Sequence, residues 1–322
     1  MTVASSDPPS VTMTSLIVPL PNPSKRREKR RPNSPSAFKV GIITETRKHK
    51  FFIPRKIVLI YRLCSKEDQM KESYNDRKVF CLSGEDTKDF LQNLITNNVY
   101  KAEGRLSYAA LLGPKGKFLF DFFLFTKGGN IFLDCGANQA DALAQHLMMY
   151  RLRRRVNITM TDLLVTCGLG TGPEAAMIDP RHPKIGWRYY GATIDAESVD
   201  WTALRIRLGI PETGYELLPD SYILEMRFEA LNGVDFRKGC YIGQEITARM
   251  KHKTRLRKGL ARASLSKEVP LHTPIIAEGK EIGFVCSQAA GQALIYLRFE
   301  KASSPLSAGD AVLSDVSKNF AM

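Results

Sequence analysis

The last third of the chain alternates short apolar runs with turn residues, and this pattern strongly limits how the region can fold. From Leu260 onward, turns that contain glycine separate the runs, at Gly279-Lys280, Gly291 and Gly309-Asp310. The runs are Ile275-Ile276, Ile282–Cys286, Ala293–Leu297 and Ala311–Leu313. Short strands with regularly spaced turns predict a small antiparallel β-barrel.

The middle of the chain mixes strands, hairpins and helices. Apolar and aromatic runs predict strands, and residues 113–116, Gly-Pro-Lys-Gly, predict a hairpin turn between two of them. Helical spacing of apolar residues predicts helices after Asp86, over Ala140–Tyr150 and over Trp201–Leu208. The predicted strands are Lys78–Leu82, Tyr108–Leu112, Phe118–Phe125 and Ile131–Cys135. This order favours an α+β fold over a regular βαβ winding.

The positive charge is concentrated at the N-terminus. The 322 residues carry a formal net charge of +14, and residues 1–60 contribute 12 Lys/Arg and 3 Asp/Glu, a net of +9. We therefore expect residues 1–72 to be a basic, disordered tail or a targeting segment. The dense run Lys25–Arg31 suits an organelle presequence or a nuclear-localisation cluster, and we favour an organelle.

Two further features restrict the class of protein. The longest apolar stretches fall well short of the ~18 residues that a membrane-spanning helix needs. The six cysteines form no C-x-x-C pair, so we expect no zinc or other metal site and a reducing compartment. They are Cys64, Cys81, Cys135, Cys167, Cys240 and Cys286.

Cys240 stands out among these cysteines because of its neighbours. Glycines frame it at Gly239 and Gly243, Lys238 precedes it, and a helix is predicted from Gly243 onward. A lysine and a helix N-terminus would both favour the thiolate, the reactive and metal-binding form of cysteine. Spacing alone leaves open the alternative that Cys240 is a small buried apolar residue.

The run from Asn232 to Glu245, Asn-Gly-Val-Asp-Phe-Arg-Lys-Gly-Cys-Tyr-Ile-Gly-Gln-Glu, resembles the signature of the YgfZ-type folate-binding proteins. These proteins help to mature iron–sulfur clusters and are relatives of the glycine-cleavage T-protein, an aminomethyltransferase. Further matches occur in the same order along residues 75 to 300. They include Ser83–Asp86 with Thr96-Asn97, the hairpin within Tyr108–Asp121, the basic run Tyr150–Val156, and Arg205–Glu212.

The resemblance implies intertwined α+β lobes around a central folate channel over residues 73–256, and a C-terminal antiparallel barrel over residues 257–322. It implies tetrahydrofolate or a folate derivative as cofactor, and Cys240 as a thiolate with a catalytic role. The cofactor would be bound by Asp121, Arg151, Arg153, Lys238, Gln244 and Glu245, with the basic residues receiving its glutamyl tail.

The family function implied for the chain is maturation of four-iron proteins in the mitochondrial matrix. The implied partners are iron–sulfur scaffold or carrier proteins and four-iron client enzymes, with no membrane and no nucleic acid.

One departure from the T-protein weakens the case for transfer chemistry. Its central hairpin carries paired acidic residues, whereas this chain has Phe120-Asp121. A folate-dependent one-carbon transferase is therefore an alternative to the assembly factor, and whether the chain is an enzyme stays open. A basic nucleic-acid-binding protein is a second alternative, which rests on the overall charge.

Overall fold

A computed structural model describes residues 76–195, 197–253, 255–302 and 305–320. The basic N-terminal segment lies outside the described residues. Within these ranges no helix is long and apolar enough to cross a membrane.

A five-stranded antiparallel sheet forms the centre of the N-terminal half. Its strands have the order β2-β3-β4-β1-β5. They are β1 (Arg77–Ser83), β2 (Ser107–Leu112), β3 (Phe118–Lys127), β4 (Asn130–Gly136) and β5 (Asn157–Met160). The predicted turn at residues 113–116 joins β2 to β3, where Gly116 has φ +69°. Two helices accompany this sheet, α1 (Thr87–Gln92) and α2 (Ala137–Arg151).

The two faces of this sheet belong to different hydrophobic cores. Helix α2 packs Ala140, Leu143 and Leu147 into a core with Phe122 and other residues of one face. Alternate strand residues, such as Phe123, point to the other face and join the larger core. That second face is the one from which the candidate site is built.

A second, smaller sheet and two more helices complete this half. The sheet has the order β6-β8-β7, with β6 (Leu164–Gly168), β7 (Met177–Ile178) and β8 (Trp187–Gly191). Helix α3 (Trp201–Leu208) begins where the Asp200 carboxylate accepts a hydrogen bond from the Ala203 N–H at 2.9 Å. It ends at Gly209, which is left-handed at φ +66°, a common helix stop. Helix α4 (Gln244–Lys253) follows residues 232–243, which we call the Cys240 segment.

The C-terminal region is a closed antiparallel barrel, as the sequence predicts. Its strand order is β10-β11-β12-β9-β14-β13, and pairing of β10 with β13 closes it. The strands are β9 (Lys258–Leu265), β10 (Pro274–Ala277), β11 (Lys280–Ala289), β12 (Gln292–Arg298), β13 (Leu306–Ala308) and β14 (Ala311–Ser317). The α+β architecture with a C-terminal barrel is therefore confirmed.

A buried ionic contact fixes the barrel to the rest of the molecule. Arg205 of α3 pairs with Glu216 and Glu212, each at 2.9 Å. Ser287 of β11 donates a hydrogen bond to the other oxygen of Glu216. Because each buried charge has a partner, this contact avoids the large desolvation free energy of an isolated buried ion.

Arginines and aspartates also form a buried network over Phe123. Asp134 pairs with Arg77 at 2.6 Å and with Arg188 at 3.3 Å. Asp179 pairs with Arg188 at 3.1 Å and with Arg181 at 2.8 Å. The Arg188 guanidinium lies 4.0 Å from the centre of the Phe123 ring. This network joins the two sheets, because Asp134 lies on β4 and Arg188 on β8.

Candidate functional site

The chain entering the Cys240 segment is tied to the turn that follows α1. Thr96 donates its hydroxyl to the Gly233 carbonyl at 2.7 Å, and the Asn97 side-chain amide donates to the Asn232 carbonyl at 2.7 Å. The Asp235 N–H donates to the Thr96 carbonyl at 3.1 Å. Both Thr96 and Asn97 are buried, so these bonds are protected from competing water.

Asp235 holds the next part of the segment through charge. Its carboxylate pairs with Lys101 at 2.8 Å and accepts the Arg237 N–H at 2.9 Å. Burial by itself would raise the pKa of Asp235, but the Lys101 and Arg237 interactions outweigh it and hold the pKa below its usual value. Asp235 is therefore an ionised anchor of the segment.

Lys238 anchors the segment from inside the protein. Its side chain is 7% exposed, and its ammonium donates to the carbonyls of Gln92, Ile95 and Asn97 at 2.7, 2.6 and 3.0 Å. Burial lowers the pKa of Lys238 to about 7, while the three carbonyls and Asp235 favour the charged form. All three N–H groups are used by the chain itself, so this geometry favours a structural role over the expected contact with a glutamyl tail.

Tyr241 and Gly243 anchor the segment on its other side. The Tyr241 side chain is buried in the larger core, and burial raises its pKa to about 12. Gly243 has φ +81°, and a Cβ there would lie 2.7 Å from the Gly113 carbonyl oxygen and 3.0 Å from the Leu112 Cβ. Glycine is required here because the segment touches the backbone of the β2–β3 hairpin.

Cys240 lies exposed between these anchors. Its thiol is free, and the residue is exposed together with Gly239. The other cysteines of the described part are less accessible: Cys135, Cys167 and Cys286 are buried, and Cys81 is partly buried. Burial raises the pKa of all four, that of Cys135 to about 12. Among these thiols, Cys240 is therefore the one open to a partner or reagent.

The surroundings of Cys240 differ in detail from those that the sequence predicts. The expected lysine is directed into the protein, toward the carbonyls after α1. Helix α4 begins at Gln244, four residues after the thiol and within one residue of its predicted start. Exposure on a fixed loop is thus the property that the structure assigns to Cys240.

Asp121 lies on the face of β3 that joins the larger core. Three polar side chains contact its carboxylate. Its carboxylate accepts hydrogen bonds from the Tyr108 hydroxyl at 2.9 Å, the Thr213 hydroxyl at 2.6 Å and the Gln139 amide at 3.5 Å. The Gln139 Oε1 atom is buried and has no hydrogen-bond partner among the described residues. A buried acceptor without a partner beside a carboxylate can receive N–H groups of a polar ligand.

Phe120 points away from this group, on the opposite face of β3. Its ring centre lies 5.6 Å from that of His146 on α2, and Phe120 packs against the core on that side. Burial lowers the pKa of His146, which favours its neutral form. The hairpin therefore supplies one carboxylate, from Asp121, to the candidate site.

Glu225 is a half-buried carboxylate that lies ahead of Asn232 in the sequence. The Tyr296 hydroxyl, on barrel strand β12, donates to it at 2.8 Å. Burial raises the pKa of Glu225, against the opposing influence of Tyr296, Lys258 and Lys117. Lys117 lies 3.5 Å from the ring centre of Tyr222, in the segment that leads to Glu225. Tyr296 follows Glu225 by 71 residues, so no local pattern could reveal the pair.

The remaining predicted binding residues are not gathered around Asp121. Arg151 donates back to the Val156 carbonyl at 3.3 Å, and Arg153 is exposed after the end of α2. Arg151 lies twelve residues after Gln139 on one helix, about 18 Å along its axis. In the first turn of α4, Gln244 is partly buried and Glu245 is exposed. Arg151 therefore lies far along α2 from Gln139, and Lys238 is engaged inside the protein.

No group of three or more His, Cys, Asp or Glu side chains within the described ranges could hold a metal ion. A metal site with three or more such ligands would need side chains from a second molecule or from residues outside the described ranges. An exposed cysteine thiolate is nevertheless a suitable soft ligand for iron carried by a partner.

Comparisons with known proteins agree with this fold. Residues 257–317 match the family described as the CAF17 C-terminal beta-barrel domain. The structure is similar to that of a glycine cleavage system aminomethyltransferase T from Bartonella henselae, with a TM-score of 0.61 and 14% identity over 76% of this chain and 83% of that chain. At this identity the likeness concerns the fold alone.

The sequence is also similar to proteins named iron-sulfur cluster assembly factor IBA57, mitochondrial. The Mus musculus protein is 30% identical over 286 residues, covering 71% of this chain and 78% of that protein. The Homo sapiens protein is 29% identical with the same coverage. A homologue from Pyricularia oryzae is 29% identical over 56% of this chain, and the match spans about half of that protein, 54%.

Proposed function

Since the chain belongs to the IBA57 family of mitochondrial proteins, we propose that it is an iron–sulfur cluster assembly factor that binds a reduced folate and assists the maturation of four-iron proteins in the matrix. Its partners are the iron–sulfur scaffold or carrier proteins and the four-iron client enzymes. The observation that carries this proposal is the exposure of Cys240 on a loop whose two sides are anchored in the protein.

Cys240 suits contact with a cluster that passes between proteins. Iron–sulfur clusters are held by cysteine thiolates, and a thiol must reach the surface to meet a cluster carried by another protein. The anchors at Lys238 and Tyr241 fix the backbone on both sides of Cys240. A fixed loop keeps the thiol accessible without the entropic cost of ordering it at each encounter.

The group around Asp121 fits the polar edge of a pterin. A pterin presents ring and exocyclic N–H groups, for which the Asp121 carboxylate and the Gln139 Oε1 atom are acceptors. Tyr108 and Thr213 orient the carboxylate through their hydroxyl groups. Folate, when bound, would supply a one-carbon carrier, while these residues would bind and orient its ring.

The tetrahydrofolate site is tested by calorimetric titration of the full chain and two matched variants. Asp121→Asn should weaken binding by about 10-fold or more, because a charge-assisted hydrogen bond is lost. Glu281→Gln, which changes an exposed carboxylate on barrel strand β11 in the same way, should bind as the native chain does. Equal affinity of Asp121→Asn and the native chain would remove Asp121 from the site, and absence of binding by the native chain would overturn the folate proposal.

A further inference from the structure

The end of helix α2 exposes three large apolar side chains at one place. Met148, Met149 and Leu152 are 57%, 61% and 82% exposed. Their spacing of three and four residues places them next to one another at the last turn of the helix. We refer to Met148, Met149, Leu152, Arg153 and Arg154 together as the α2-end patch.

Leu152 adopts a backbone conformation that leucine rarely adopts. Its φ is 49° and its ψ is −117°, at the position that ends α2. A non-glycine residue at positive φ is strained. Since the Leu152 side chain is turned mostly to water, packing inside the protein gives little compensation for this strain.

Arg153 and Arg154 stand beside the apolar side chains. With Leu152 and Asp86 they line a surface cleft of about 510 Å³. The Asp86 carboxylate already accepts the Arg155 N–H at 2.7 Å and lies 3.9 Å from the Arg155 guanidinium. Arg153 and Arg154 form no ion pair with any described residue. The cleft therefore presents two available guanidinium groups next to exposed apolar surface.

We propose that the α2-end patch binds an anionic phospholipid surface, with Arg153 and Arg154 on the lipid phosphates and Met148, Met149 and Leu152 among the first acyl carbons. Guanidinium groups match phosphate geometry, and apolar side chains beside basic ones are typical of proteins that bind at the membrane interface. This is a peripheral contact, and it departs from the sequence-based expectation of no membrane partner.

Charge and size argue against two other occupants. The chain's own N-terminal segment carries a net of +9 over residues 1–60 and would be repelled by the arginines. A specific protein partner usually covers about 800 Å² on each side, more than five adjacent side chains provide. An anionic lipid surface attracts the two arginines, and it can be bound without a large complementary protein face.

The test follows Leu152 itself, because the basic N-terminal segment can also attract anionic lipid. Full-length Leu152→Trp is mixed with vesicles of phosphatidylcholine alone, or of phosphatidylcholine with phosphatidylglycerol, that carry brominated acyl chains. The added tryptophan should shift its emission to shorter wavelength and be quenched in the anionic vesicles. Val312→Trp, at an exposed position on the barrel strand β14, should show neither change.

Sedimentation with the anionic vesicles gives a second, independent reading. Arg153→Gln/Arg154→Gln should lower the binding constant about 10-fold or more. Arg249→Gln/Arg255→Gln removes two exposed charges elsewhere and should lower it much less. Unchanged emission of Leu152→Trp in anionic vesicles, or equal loss in the two double variants, would overturn the proposal.

Discussion

The Lys238 ammonium lies 5.1 Å from the centre of the Tyr241 ring, and these two buried residues flank the exposed pair Gly239-Cys240. Lys238 reaches the carbonyls at the end of α1, and Tyr241 reaches the larger core. The position of the thiol is therefore set by its neighbours in sequence, through contacts with distant parts of the chain.

Replacing Lys238 should destabilise the protein. Lys238→Met leaves three buried carbonyls without their charged donor, which should lower the free energy of unfolding by roughly 2–4 kcal/mol. Lys251→Met is the matched control, since the exposed pair of Lys251 with Glu229 should contribute less than about 1 kcal/mol. Urea denaturation measures both. Equal midpoints for the two variants would contradict the anchoring role of Lys238.

Gly243 and Gly239 should respond differently to alanine. A Cβ at Gly243 meets the Gly113 carbonyl oxygen at 2.7 Å, and its φ of +81° strains any other residue, whereas a Cβ at Gly239 meets nothing within 4 Å. Gly243→Ala should cost roughly 1–3 kcal/mol of stability, and Gly239→Ala should be nearly neutral. Thermal unfolding of both variants tests this. Similar melting temperatures would show that the hairpin contact is not tight.

The cysteines should differ in their accessibility to alkylating reagents. In the folded protein Cys240 should react first among the described thiols, because Cys135, Cys167 and Cys286 are buried and burial raises their pKa. Site-resolved mass spectrometry after brief treatment with iodoacetamide, with and without denaturant, measures this order. Modification of Cys286 at the rate of Cys240 in the folded state would contradict the structure.

Asp235 should contribute stability that depends on pH. Its folded pKa lies below its usual value, so its contribution is present above the unfolded pKa of about 4 and is lost as the pH falls through the folded value. Asp235→Asn should therefore lower stability at neutral pH and approach the native chain at acid pH. The difference in urea midpoint between the two proteins, followed from about pH 7 to about pH 3, measures it. A difference that does not shrink on acidification would contradict the ion pair with Lys101.

The sequence predicts most of the elements because their patterns are local. The alternating strands of the barrel and the apolar spacing in α2 both require only neighbouring residues. The direction of the Lys238 side chain could not be predicted in this way, since its acceptors lie 141 to 146 residues earlier in the chain. The same applies to Thr213, which reaches Asp121 across 92 residues.

The positions of the expected binding residues show the same limit. The resemblance assigned Arg151 and Arg153 to the glutamyl tail, and in the structure Arg151 lies at the far end of α2 from Gln139, the neighbour of Asp121. The length of α2 sets the distance between Gln139 and Arg151. The contact of Gln139 with Asp121 is seen only once the helix is packed on its sheet. Exposure of Cys240 likewise depends on its neighbours being buried, which periodicity does not reveal.

The role of Cys240 is tested most directly by the activity of a four-iron enzyme such as aconitase in mitochondria of cells whose only copy of this protein is Cys240→Ala. Cells with Cys81→Ala, at a partly buried thiol of β1, serve as the matched control at equal protein level. Aconitase activity should be lost in Cys240→Ala cells and normal in the control. Normal activity in both would contradict the central role of the Cys240 thiol.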